Sequence, residues 1–507
     1  MVEKVFFIKE YFAITRNRNL ELSSTDDKLK IINCKLMQLL FLSLIFLLIN
    51  NHIIAQNYFQ KTFGDSTITE QGQLVYQTPD GMIYYFGSAL EGVNNNAEIT
   101  MHKLSPNGDI LSKTVFPDNN GDEYAFSMVY NNGVFVIVGE QQMVGSNNID
   151  GLLMMVDTLG QVLNYQLIGM PTKTESLHGI TKTSDGGYVV CGFVSGRNGL
   201  GNDFLTVKFS SNLSVLWSKA EGTGVNEVGM KSVELPNGNI ISTGDQQQST
   251  GNYNVYCQIF DANGNFLYSK TINEPYNGGS KTMLLDHNND VLILGEMNNT
   301  ASIEFDAYLI KLDENTNIIW KKFLTNDPGS DAGFGIIEPN IGDYVICGYG
   351  TNPITNNQDL MLLSADTSGN VIERKYYGSP SPDIGYTVCP SVNGGFLLSG
   401  FVHNGSDAQY FLVYDELQVA VNTNEEKEVF GDFAVFPNPL KQQTLYFNKP
   451  IEKVKLSVFN QNGQLIESKL LRQATMQYNL TSALSSGIYF IHFDFENYTK
   501  TVQIIVP

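Results

Sequence analysis

With 507 residues, 42% of them apolar and 16% charged, the chain is too long for one ordinary domain and apolar enough to fill packed cores. Its 46 Gly, 25 Tyr and 30 Phe favour strands and tight turns over helices, and the small charged share leaves the surface to Asn, Gln, Ser, Thr and Gly. The net charge of −21 argues against a nucleic-acid partner, because a phosphate backbone needs a basic footprint. The charge is uneven: residues 56–431 carry −25, whereas 432–507 carry +2, which suggests two modules.

Near the N-terminus, Leu39–Ile49 reads LLFLSLIFLLI, an apolar run of 11 residues. That length suits a signal-peptide core and is too short to span a bilayer as a helix. A small residue follows at Ala55, so cleavage is expected after Ala55 and residues 1–55 are read as leader and signal peptide. Translation starting at Met1 places Lys28, Lys30 and Lys35 ahead of the run, and a start at Met37 does not; the choice stays open. No Cys follows the run to carry a lipid, and no transmembrane span is expected in the mature chain. Its four Cys (Cys191, Cys257, Cys347 and Cys389) read as buried thiols.

The body is organised by a repeat. A short apolar strand ending in Gly recurs at Gly87, Gly139, Gly192, Gly244, Gly295, Gly348 and Gly400, at intervals of 52, 53, 52, 51, 53 and 52. Each unit reads as four strands, a to d, joined by Asn-Gly or Asp-Gly turns. In the third unit these are Ser176–Thr183, the GYVVCGF strand, Asp203–Phe209 and LSVLWSKA. Four strands at a period near 50 predict propeller blades. The last unit has strands at Tyr386–Pro390, Gly395–Phe401 and Gln409–Tyr414 but no fourth, and Tyr58–Phe63 (YFQKTF) matches the missing one. The expectation is an all-β, seven-bladed β-propeller over residues 56–417, closed by its N-terminal strand, which removes exposed edges.

The units resemble a repeat of secreted bacterial propellers with the pattern D-G-G-Y, then D-F and a Lys, then W-x-K. The third unit carries it as Asp185-Gly186-Gly187-Tyr188, Asp203-Phe204, Lys208 and Trp217 with Lys219. The fourth lacks the Gly-Gly pair and the Trp. This resemblance implies fold, not activity.

Residues 418–431 read as a polar linker, and 432–507 as a small Ig-like β-sandwich. Three blocks stand out there: Pro437-Asn438-Pro439, the strand pair around Gly463, and Leu484–Ile491 with Gly487 and Tyr489. Together they resemble the type A C-terminal sorting domain of the type IX secretion system. That family usually ends in a Lys-rich strand; here Lys500 is present but the chain closes on QIIVP. The resemblance implies the type IX machinery as partner, and an extracellular or outer-surface location.

Strand alternation places the a–b and c–d turns at one end of the propeller and the longer b–c and d–a loops at the other. Variable loops on a rigid scaffold are where binding usually sits. At that end, just before strand a, an acid recurs: Glu70, Glu123, Glu175, Glu227, Asp331 and Asp383, with Gly279 at the remaining place. Such acids would ring the channel mouth and attract cations or amines. The competing expectation is that each carboxylate holds its own loop through backbone N–H groups, and repetition favours it. His178 near Glu175 is a candidate general base, but no ligand-spaced His set, HExxH, GxSxG or phosphate loop occurs. No metal site is expected. Turns such as Asp261–Asn265 look faintly like calcium loops without the distal Glu, so Ca2+ is the one cofactor to consider and a hairpin turn explains them better. The expectation is a secreted, non-enzymatic module for a glycan or protein ligand. The alternative is a polysaccharide hydrolase or lyase using the channel mouth.

Overall fold

The computed structural model describes residues 58–417 and 435–506, apart from short interruptions within each range. Every regular element among them is a strand. They fall into two compact units, one up to Ala420 and one from Val421. The leader and the expected cleavage site at Ala55 lie outside the described residues, as do the linker 418–431 and Pro437, Asn438, Pro439 and Gly463.

The first unit is β-propeller-like. Its 28 described strands form seven four-stranded antiparallel sheets, six of them built from consecutive strands. In the third sheet the order is Glu175–Lys182, Tyr188–Ser195, Asn202–Phe209, Val215–Glu221. The seventh combines Ile384–Pro390, Phe396–Asn404 and Asp407–Asp415 with Phe59–Phe63, which pairs along Tyr410–Tyr414. The second and third strands there run longer than the sequence spacing predicts. Their ladder continues to Asn404 opposite Asp407, so His403 is in a strand and not in a loop. The first strand of each sheet neighbours that of the next, and the seventh neighbours the first.

The cores lie between sheets. Val190 and Val207 of the third sheet pack on Val136, Val138 and Leu153 of the second. Phe59 and Phe63 pack with Tyr85, Leu104, Tyr410 and Leu412 between the seventh sheet and the first. Middle strands are buried on both faces and therefore read as near-continuous apolar runs.

The recurring glycine has a steric cause. In every first strand the register slips by one residue opposite this position, for example between Leu177 and Gly179. The bulge brings a first-strand carbonyl over the second strand. A Cβ on Gly192 would lie 1.8 Å from the Ser176 oxygen, and the seven glycines span 1.7 Å at Gly139 to 2.3 Å at Gly87. Only Gly fits beneath each bulge.

The other motif residues are fasteners. Lys208, buried, donates to Asp185 Oδ2 at 2.8 Å and Thr183 Oγ1 at 2.8 Å, tying the third strand to the a–b turn. Trp217 donates from Nε1 to the Ala262 carbonyl at 3.3 Å, sealing the third sheet to a turn of the fourth. The four described cysteines, Cys191, Cys257, Cys347 and Cys389, are buried free thiols. The Asp261 turn uses its carboxylate internally: Oδ1 accepts from the N–H groups of Asn263 and Asn265, and Oδ2 from Asn265 Nδ2.

The second unit has two antiparallel sheets. One is Val435–Phe436, Thr444–Ile451, Thr475–Asn479; the other is Leu465–Leu471, Val454–Asn460, Gly487–Asp494, Thr499–Val506. Its core includes Leu445, Phe447, Val454, Leu456, Ile491 and Phe493, with the Phe447 and Phe493 rings edge to face at 5.7 Å.

Candidate functional site

The seven bulges position one side chain each: Gln73, Phe126, His178, Met230, Lys281, Phe334 and Tyr386. All seven are half-buried. Bulge residues of neighbouring sheets meet: Phe126 and His178 ring centroids are 5.5 Å apart, Phe334 and Tyr386 5.3 Å, and Lys281 Nζ lies 5.8 Å from the Phe334 centroid. They therefore form a belt around the inner strands.

The residue after each recurring glycine extends the belt. Phe193 lies 5.6 Å from His178, Tyr349 lies 5.9 Å from Phe334, and Phe401 lies 6.0 Å from Tyr386. Glu296 pairs with Lys281 at 2.9 Å. Asp245 accepts from the Ser280 N–H at 2.7 Å, and burial pushes its carboxyl up to about 6 against the lowering pull of Lys281. The belt thus has two aromatic arcs, in sheets two to three and six to seven, and a charged sector in sheets four and five; one further carboxylate, Glu140 after Gly139, stands in sheet two, where burial raises it against the lowering pull of a hydrogen bond from Ser176.

Just beyond the bulge, the first strands carry Leu74, Ser127, Gly179, Lys231, Thr282, Gly335 and Thr387. Most are short. Lys231 is long and crosses from the fourth sheet to the second, with Nζ 2.6 Å from the Ile180 carbonyl and 3.3 Å from Ser127 Oγ. Burial beside these uncharged partners pulls its ammonium down to about 8. This layer lies one residue further along the first strands than the belt.

The recurrent acids stand elsewhere. Glu70, Glu123, Glu175, Glu227, Asp331 and Asp383 are all buried. Four accept an N–H from their own d–a loop: Glu70 from Asp65 at 2.9 Å, Glu175 from Met170 at 3.3 Å, Glu227 from Thr223 at 3.0 Å, and Asp383 from Ser379. Asp331 accepts from the Thr351 N–H at 2.6 Å, and Glu123 from Tyr165 Oη at 2.7 Å. Burial raises the Glu70 carboxyl to about 7 and raises Glu175 and Asp383 too. The remaining place belongs to Gly278, opposite Met297, and not to Gly279: the register counts three residues back from the bulge. The Met297 side chain fills the space a carboxylate would take.

His178 and Glu175 take different partners. His178 Nδ1 faces the Gly229 carbonyl at 3.1 Å, its ring stands between Phe126 and Phe193, and burial lowers it to about 4. At neutral pH it is an uncharged member of the belt. Among the described residues, no group of three or more His, Cys, Asp or Glu is placed to hold a metal ion. The belt escaped sequence reasoning, His178 excepted. The available signal was position: three residues after the acid, and one after the glycine.

In the second unit Tyr489 is buried with Oη 3.1 Å from the Ser485 carbonyl, Gly487 pairs with Val506, and Lys500 lies opposite Phe493. Residues 434–507 match the family described as the secretion system C-terminal sorting domain. The tail is thus a type IX sorting domain, which indicates export to the cell surface or extracellular space. No curated protein matches the chain. Among solved structures it is similar to a catalytically inactive virginiamycin B lyase from Staphylococcus aureus, at 9% identity over 70% of this chain and 99% of that one, with a TM-score of 0.47. It is similar to the β-propeller domain of the Trilobed protease from Pyrococcus furiosus, at 9% identity over 69% and 97%, TM-score 0.41. It is also similar to PorZ, a surface component of the type IX secretion system of Porphyromonas gingivalis, at 9% identity over 86% and 74%, TM-score 0.31. Likeness at this level says nothing of what the chain binds or does.

Proposed function

We propose that the chain is a type IX secretion cargo whose first unit, residues 56–417, is a closed seven-bladed β-propeller acting as a non-enzymatic binding module for a glycan or protein. A signal peptide cleaved after Ala55 starts export, and a type A, Ig-like sorting domain at 432–507 completes it through the type IX machinery. The ligand meets the b–c loop end, and the recurrent acids serve that end by fastening its loops.

The observation that carries this reading is the contrast between acids and belt. The recurrent acids are buried and hydrogen-bonded within the scaffold, whereas the belt presents half-buried aromatic and polar groups at one place, with its carboxylates Asp245 and Glu296 held by Ser280 and Lys281. Aromatic surface with a few fixed polar groups suits recognition.

The test places the purified mature protein on glycan and surface-protein arrays, with product analysis of every polysaccharide bound. Binding without new chain ends is expected. Cleavage of a polysaccharide would replace this reading with a hydrolase or lyase. In cells, removal of 432–507 is expected to hold the protein in the periplasm; undiminished export would overturn the cargo assignment.

A further inference from the structure

The belt has poles, and they define a ligand class. One aromatic arc holds Phe126 and Phe193 on either side of His178. The other holds Phe334, Tyr349 and Tyr386. Two sheets, the fourth and fifth, separate the arcs one way round the ring and one, the first, the other way, so the arcs lie on opposite sides of the axis. Between them on one side stand Asp245, Lys281 and Glu296. On the other side stands Gln73, the bulge residue of the first sheet.

We propose that this belt is the ligand site of the first unit and that it takes one neutral pyranose, the terminal unit of a glycan chain, between the two aromatic arcs. The proposal rests on the binding-module reading and deepens it. A pyranose has apolar C–H faces and a polar rim of hydroxyls. Two facing aromatic arcs match the faces, and charged and amide groups at the poles match the rim.

Other ligands fit less well. A cation would find its place filled, because Lys281 already lies over the Phe334 ring and against Glu296. An anion would meet Asp245 and Glu296 in a body carrying −25 over residues 56–431. A polymer threaded through the axis would have to pass the buried Lys231 ammonium, which reaches from the fourth sheet to Ser127 and Ile180 one residue further along the first strands. A chain end reaches the belt from the loop end without passing it.

The experiment uses the full mature chain and neutral oligosaccharides of two to six units from the gluco, manno, galacto, xylo and N-acetylglucosamine series, measured by titration calorimetry. Affinity is expected to be nearly independent of chain length, since only the end unit enters. Phe126→Ala and Phe334→Ala, one on each arc, are each expected to weaken binding about tenfold, and the pair more. Phe334→Leu keeps apolar bulk without the aromatic face and is expected to lose affinity with an unchanged melting temperature. Leu159→Ala, at an exposed c–d turn at the opposite end of the unit, is expected to leave affinity unchanged. Saccharide binding that survives all three belt substitutions would overturn the site while leaving the binding-module reading intact. Affinity that climbs steadily with chain length, or belt-dependent binding of lysine or tetramethylammonium in place of sugars, would overturn the ligand class. Failure of every saccharide and every surface protein to bind would sink both.

Discussion

Replacing Gly192 by Ala tests the link between repeat and fold most directly. The added methyl would sit 1.8 Å from the Ser176 carbonyl oxygen, where real contacts stay above 3.0 Å. The first two strands of the third sheet must then part by about 1 Å or the bulge must flatten, and either loosens ladder hydrogen bonds between Glu175–Lys182 and Tyr188–Ser195. Overpacking of this kind costs about 1–3 kcal/mol, and each weakened hydrogen bond adds about 1 kcal/mol, so a loss of roughly 3 kcal/mol or more is expected. Gly186→Ala is the control. Gly186 has φ of 81° and no atom within 4 Å of where the added methyl would lie, so its cost is the left-handed backbone alone, about 1 kcal/mol. Urea unfolding followed by tryptophan fluorescence reads this cleanly. Trp217 and Trp320 both lie in the first unit, and the sorting unit has none. Equal midpoints for the two variants would refute the steric account of the repeat.

Phe63→Ala probes closure of the ring: Phe63 is half-buried, with its ring 5.1 Å from Tyr85 and 5.5 Å from Tyr410. A fully buried Phe→Ala change costs about 3–5 kcal/mol, so about 2 kcal/mol is expected by urea unfolding, and a loss under about 0.5 kcal/mol would mean that Phe59–Phe63 does not hold the seventh sheet. Asp245→Asn probes the charged sector through pH. Burial raises this carboxyl to about 6 in the folded chain, above its ordinary 3.8, so its contribution to stability is present below the ordinary value and is lost as pH rises to about 6. The wild-type minus variant difference in urea midpoint should therefore fall across that window, and parallel profiles would refute the assignment.

Much of the fold was legible because a single backbone event repeats. One bulge in each first strand forces one Gly in each second strand, so the Gly recurs once per four-stranded unit, at intervals near 52. Lys208 with Asp185, and Trp217 on the next sheet's turn, show why the third unit's motif is complete: each residue ties two strands or two sheets. The N-terminal strand was legible because Phe59 and Phe63 alternate with polar residues, as an outer strand facing a core on one side must.

The site was less legible for the same geometric reason. An acid recurring before every first strand looks the same in sequence whether it points at ligand or into its own loop; only the Asp65, Met170, Thr223 and Ser379 N–H groups separate the two arrangements. The belt residues share a position but not a chemistry. Gln73, Phe126, His178, Met230, Lys281, Phe334 and Tyr386 show no common type, so a search for recurring residues passes over them. That variety is itself informative. Seven equal side chains on a seven-fold scaffold would make a symmetric ring, suited to a symmetric or axial ligand. A low-symmetry ligand such as a sugar needs distinct poles, and the simplest way to build them is to vary the one residue per sheet that the bulge turns inward while the backbone that places it stays the same.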